Sequence, residues 1–149
     1  MIPPKLSWLD MPLLSAVFVI LVLVGLTYGK GDTLKVTASI QPLSIRPGTQ
    51  AKITATLRNL GNSPIELEFP SSKTFDFAVS GQNGHYRWST DRFFLTVITK
   101  IALAPGQEID ATFIWTVDLP PGDYRLRIFL EPISGSRIES EAVDLVIRA

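Results

Sequence analysis

The stretch Ala51-Lys52-Ile53-Thr54-Ala55-Thr56-Leu57-Arg58 puts an apolar residue at every odd position and a polar one at every even position. Side chains of an extended strand point alternately to opposite faces, so this segment lays one greasy face and one wet face side by side. Upstream, Leu34, Val36, Ala38 and Ile40 alternate with Lys35, Thr37 and Ser39 in the same way. Arg46-Pro47-Gly48 between the two runs supplies a turn. Downstream, Asn59 to Pro64 breaks the chain, and Ile65-Glu66-Leu67-Glu68-Phe69 alternates again up to Pro70.

The pattern continues to the C-terminus. Phe75, Phe77 and Val79 form the next apolar face, and Asn83-Gly84 is the dipeptide of a type I′ hairpin turn. His85 to Ser89 is its returning strand, and Phe94 to Leu103 is a β-branched run closed by Ala104-Pro105-Gly106. Ile109 to Val117 carries Ala111, Phe113 and Trp115. Tyr124, Leu126, Ile128 and Leu130 alternate against Arg125, Arg127 and Phe129. A last strand runs from about Glu139 to Ile147. A turn signal about every ten residues, with no helical period after residue 30, predicts an all-β antiparallel sandwich of about eight strands over residues 33–149. Parallel βαβ units would need crossover helices, which this pattern lacks. Pro121-Gly122-Asp123-Tyr124 has the form of a tyrosine corner, and Trp88 is placed in the middle of the sandwich.

In front of this domain lie a tail of residues 1–10 and an uncharged run from Met11 to Gly29. As a helix the run spans about 28 Å, enough for a hydrocarbon core about 30 Å thick. Trp8 and Tyr28 flank it where aromatic rings favour the bilayer interface. A run apolar on every face disfavours a core helix. Leu26-Thr27-Tyr28-Gly29 is a poor cleavage sequence, which favours an uncleaved signal anchor over a cleaved signal peptide. The expectation is a single-pass transmembrane helix over 11–29 with the sandwich domain on the extracytoplasmic side of the cell membrane.

Composition narrows the chemistry. The 14 basic and 14 acidic residues balance, so there is no electrostatic footprint for nucleic acid. There is no cysteine, and His85 is the single histidine, too few N or S ligands for zinc. Asp118, Asp123, Glu139 and Glu141 lack the spacing of a calcium loop. Gly81 and Gly84 belong to a hairpin rather than to a phosphate loop. No nucleophile elbow accompanies His85, which reads as a solvated turn residue. The expectation is a protein without catalytic residues, metal or small-molecule cofactor. Phe75, Phe77, Trp88 and Trp115 could stack a ligand, but their strand positions favour the core.

A family resemblance covers residues 55 to 124. Asn59-Leu60-Gly61-Asn62-Ser63-Pro64 leads through Phe69-Pro70-Ser71-Ser72 into Phe75-Asp76-Phe77. After a glycine hairpin come Tyr86-Arg87-Trp88-Ser89, Phe93, Leu103-Ala104-Pro105-Gly106, Trp115 and Pro121-Gly122-Asp123-Tyr124. This ordered set resembles the BsuPI domain, the intracellular proteinase inhibitor family of bacilli. The resemblance implies an immunoglobulin-like β-sandwich and inhibition of a serine protease. The leading hydrophobic segment departs from the soluble, cytoplasmic namesake of that family.

Inhibition would need a rigid scaffold that holds one loop extended across the protease cleft. Three loops qualify: Pro70 to Thr74 with Ser71 and Ser72, Ser89 to Phe93 with Arg92, Phe93 and Phe94 at its end, and Glu131 to Arg137. Arg92 or Arg137 could enter a specificity pocket. Arginine and aromatic side chains dominate interface hot spots, so an outward Phe93 or Phe94 would make a protein-binding patch. The competing reading, that both pack inward at the start of the next strand, is the favoured one here. A non-inhibitory adhesive or structural module of the cell envelope is the alternative function.

Overall fold

The computed structural model describes residues 33–149, and the 11–29 segment lies outside the described residues. Leu34–Ala149 form one compact unit. It is all-β and sandwich-like. The strands are β1 (Leu34–Gln41), β2 (Ser44–Ile45), β3 (Gln50–Asn59), β4 (Ile65–Phe69), β5 (Phe75–Gly81), β6 (Gly84–Arg87), β7 (Thr99–Leu103), β8 (Glu108–Thr116), β9 (Gly122–Leu130), β10 (Ile138–Glu139) and β11 (Val143–Ile147). One sheet has the order β1-β3-β8; the other has β2-β11-β9-β5-β6, with β10 on β9; β4 and β7 form a separate pair.

Alternation sets the register. Along β3, Ala51, Ile53, Ala55 and Leu57 are fully buried between exposed or half-exposed neighbours. Ala51 lies opposite Trp115 on β8 and Ile53 opposite Phe113, so small residues face large ones across the ladder. The second sheet contributes Phe77, Val79, Leu126, Ile128 and Leu130, all with 0% exposure. Phe77 meets Phe113 edge-on at 5.2 Å and Trp115 at 6.3 Å. Tyr86 stacks on Trp115 at 5.4 Å. Such pairs add about 1 kcal/mol each beyond the area they bury.

Trp115, not Trp88, fills the middle of the sandwich. Trp88 opens a single 3-10 turn (Trp88–Asp91) just past the end of β6, so it lies at the rim, half-buried on Phe113. The turns also differ from expectation in one place. The β5–β6 hairpin closes Gly81 opposite Gly84, which leaves Gln82 and Asn83 as the loop. Among the described residues none other than glycine has positive φ, and Gly84 is not among the positive-φ glycines, so the turn is not type I′. The glycines serve close approach instead. A Cβ on Gly81 would sit 2.3 Å from the Asp123 carbonyl oxygen, and one on Gly84 would sit 2.9 Å from Leu119. Asn83 Nδ2 donates to the Pro121 carbonyl and ties the hairpin to the start of β9. There Tyr124 Oη donates to the Pro120 carbonyl at 2.7 Å, the bond of a tyrosine corner.

The eleven strands exceed the expected number of about eight in part because the first and last runs divide. The first apolar run leaves β1 at the cis Gln41–Pro42 bond, and Ser44–Ile45 then pair in parallel with β11. The last run divides at Ser140, whose Oγ accepts from Ile128 N–H at 2.9 Å in place of a backbone carbonyl. The 94–103 run is a strand only from Thr99 onward.

Candidate functional site

Residues 92–98 form an irregular segment between the 3-10 turn and β7. Phe93 is fully exposed, and Leu95, Val97 and Ile98 are exposed by more than half. The inward reading of Phe93 is therefore corrected. The favoured reading holds in part for Phe94, which is half-buried against Trp88 with ring centroids 5.7 Å apart. A large apolar side chain held in water loses about 2 kcal/mol relative to burial, so this run of four makes the segment the candidate interaction surface.

The segment is held from both sides. On the N-terminal side, Arg92 has extended backbone (φ −121°, ψ 148°) and its N–H donates to the Ser89 carbonyl. Its guanidinium lies 4.6 Å over the Trp88 ring. Arg92 also touches the Tyr86 hydroxyl; burial pushes that phenol above its ordinary 10.0, and the arginine charge opposes the rise. On the C-terminal side, Ser72 N–H donates to the Leu95 carbonyl at 2.9 Å, and Leu95 N–H donates to Ser72 Oγ at 2.8 Å. Ser71 Oγ accepts from Lys73 N–H and shapes the loop that carries Ser72. Five of the six candidate residues, Ser71, Ser72, Arg92, Phe93 and Phe94, thus meet at one end of the sandwich.

Arg137 does not join them through any contact. Its guanidinium lies 3.7 Å over the Phe129 ring and pairs with Glu139 at 3.1 Å. Arg87 covers the same ring at 4.9 Å. Phe129 is thereby 1% exposed although it lies on the outer face of β9.

The residue that sequence reasoning passed over is Asp76. It is 1% exposed at the second position of β5, on the face away from the core. Its carboxylate accepts from Arg87 Nε at 3.0 Å, Ser89 Oγ at 2.5 Å, Ser89 N–H at 3.2 Å and Phe77 N–H at 2.9 Å. Lys73 stands 3.7 Å away, and Glu131 joins through Arg87 at 2.8 Å. A buried carboxylate persists only when its lone pairs are filled this way. Its two bonds to Ser89 fasten the 3-10 turn, and with it the base of the exposed segment, to the sheet. The signal was the acidic residue between two core phenylalanines, a position where alternation demands an outward side chain and gives no hint of burial.

Elsewhere the surface offers less. A groove of about 680 Å³ lies at the opposite end of β5, lined by residues such as Gly81, Asn83, Arg125 and Asp144. His85 is exposed across from Ser80. Among the described residues no three His, Asp or Glu side chains converge as metal ligands.

Comparison with known proteins places this arrangement. In solved structures the fold is similar to the sporulation control protein Spo0M of Bacillus subtilis, with a TM-score of 0.55 at 13% identity over 78% of this chain. This chain spans 50% of Spo0M's length. It is also similar to the C-terminal domain of Wzt, with a TM-score of 0.51 at 16% identity over 82% of this chain and 77% of that one. A CARDB domain from Pyrococcus furiosus aligns at a TM-score of 0.46 and 18% identity, over 76% of this chain and 91% of that one. At these identities the likeness is one of fold. No curated protein matches the sequence. The family described as "Intracellular proteinase inhibitor" matches residues 38–134, from the middle of β1 to the loop after β9. That span takes in the buried Asp76, Trp115 and Tyr124, and on it the chain belongs to the BsuPI family.

Proposed function

We propose that this domain binds a protein partner, a serine protease that it inhibits, through the exposed segment 92–98 and the adjoining Ser71–Ser72 loop. The domain is read as an immunoglobulin-like sandwich held by a single membrane-spanning segment over residues 11–29, on the extracytoplasmic side. The strand order β1-β3-β8 against β2-β11-β9-β5-β6, with the successive strands β1 and β2 in different sheets, supports the immunoglobulin-like reading. Membership in the inhibitor family supports the choice of partner. The observation that carries the proposal is the fully exposed Phe93 between two tethered backbone positions, Arg92 and Leu95. A loop already ordered before contact loses little entropy on binding, which favours slow dissociation.

The test is titration of serine proteases with the purified full chain. Stoichiometric loss of protease activity, with the chain recovered intact, is the expected result. Saturable capture of an envelope protein with no protease affected would favour the adhesive module instead. Membrane placement is checked separately: the chain should resist alkaline extraction from membranes, and the lysines of its sandwich should be labelled by a membrane-impermeant amine reagent added outside intact cells.

A further inference from the structure

We infer that Phe93 is the specificity-determining side chain of this inhibitor, the one that enters the primary pocket of the protease, and that the domain therefore selects enzymes with a large apolar pocket. The inference rests on the protease reading above and refines it to one residue and one enzyme class.

Substrate-like binding makes two demands of a loop. One side chain must project freely, and the main chain beside it must be open to pair with the enzyme as an added strand. Phe93 meets both. Its side chain is fully exposed. Among the described residues none bonds to the main chain of Phe93 or Phe94, whereas the positions on either side are bonded: Arg92 N–H to Ser89, and Leu95 N–H and C=O to Ser72. The open main chain is thus two residues long and centred where the side chain projects.

Competing side chains fail one demand or the other. Arg92 already covers the Trp88 ring and touches Tyr86, so entering a pocket would break both contacts. Leu95 is exposed, but both its main-chain groups are occupied by Ser72. Arg137 is laid on Phe129 and paired with Glu139. Phe94 packs at a tilt against Trp88 and helps hold the loop. What remains to be offered is a benzyl group. A hydrophobic primary pocket takes it, while the buried carboxylate at the base of a trypsin-type pocket would be left unpaired by it. The residues that follow, Leu95, Val97 and Ile98, add further exposed apolar surface to the same segment.

The experiment measures inhibition constants of the full chain against chymotrypsin, subtilisin and trypsin, for the parent sequence, Phe93→Ala and Phe93→Arg. Position 93 contacts nothing that holds the fold, so both variants should melt within a few degrees of the parent, and this is checked first. The parent should inhibit chymotrypsin or subtilisin at least about tenfold better than trypsin. Phe93→Ala should weaken that inhibition by about thirtyfold or more, the loss expected of a hot spot. Phe93→Arg should reverse the preference toward trypsin. A parent that inhibits none of the three removes both this inference and the reading beneath it. A parent that inhibits, with constants unmoved by either substitution or with trypsin preferred from the start, overturns the role of Phe93 and leaves the protease reading standing.

Discussion

At the scale of single residues, Asp76 carries more than its surroundings announce. Four hydrogen bonds converge on a carboxylate that is 1% exposed, and two of the donors belong to Ser89 at the start of the loop-bearing turn. Asp76→Ala strands the Ser89 and Phe77 N–H groups and the Arg87 guanidinium, at a cost of about 3 kcal/mol. Denaturant unfolding should show this as a lower midpoint. The surface pairs Lys100–Glu66 and Arg125–Asp144 are exposed on both sides, so breaking either should move the midpoint by less than about 1 kcal/mol. Tyr86 gives a pH dependence. Burial against Trp115 raises its phenol above 10.0, so the folded state keeps its proton at pH values where the unfolded chain has begun to lose it. Stability therefore holds below pH about 10 and falls as pH rises beyond it, because above that value the native state binds more protons than the unfolded state. Tyr86→Phe should abolish this part of the alkaline decline, read from unfolding free energies on both sides of pH 10.

At the scale of elements, the hairpin β5–β6 and the corner before β9 act as one unit. Gly81 faces the Asp123 carbonyl so closely that any Cβ would force the backbones apart. Gly81→Ala should cost about 3 kcal/mol by overpacking. Gly106→Ala meets open space and pays only for a positive φ of 76°, about 1 kcal/mol. Comparing the two unfolding midpoints separates close approach from backbone conformation as the reason for each glycine.

Elements also show what could be read in advance. Strands β1, β3, β5, β8, β9 and β11 were legible because each turns alternate apolar residues toward the core. The segment 94–98 was not. Phe94, Leu95, Val97 and Ile98 have high strand propensity, and propensity is blind to whether a partner strand exists to cover them. The loop is exposed because no element covers it, and that is a tertiary fact. The network around Asp76 was hidden for a related reason. Alternation assigned Asp76 and Phe129 to an outward face, correctly, but their mutual burial depends on Arg87 and Arg137 folding down over them.

At the scale of the whole molecule, charge has little to contribute to partner capture. The chain carries 14 charges of each sign, and several on the described surface are paired within it, as Arg125 with Asp144, Arg127 and Arg137 with Glu139, and Lys100 with Glu66 and Glu68. The proposed contact strip, Phe93 to Ile98, contains no ionisable side chain. Long-range steering requires a field that this distribution does not build, so association should proceed at a rate typical of unsteered docking, about 10⁵–10⁶ per molar per second. Raising the ionic strength from 0.05 to 0.5 M, an order-of-magnitude step that shortens screening from about 14 Å to about 4 Å, should change the association rate less than about threefold. Dissociation should respond instead to loss of apolar contact, with Phe93→Ala accelerating it while leaving the association rate nearly unchanged. Stopped-flow or surface-capture kinetics across that salt range would separate the two rates. A tenfold fall in association with salt would mean that a charged face, such as the arginines along β9, meets the partner first, and would move the contact surface away from the exposed loop.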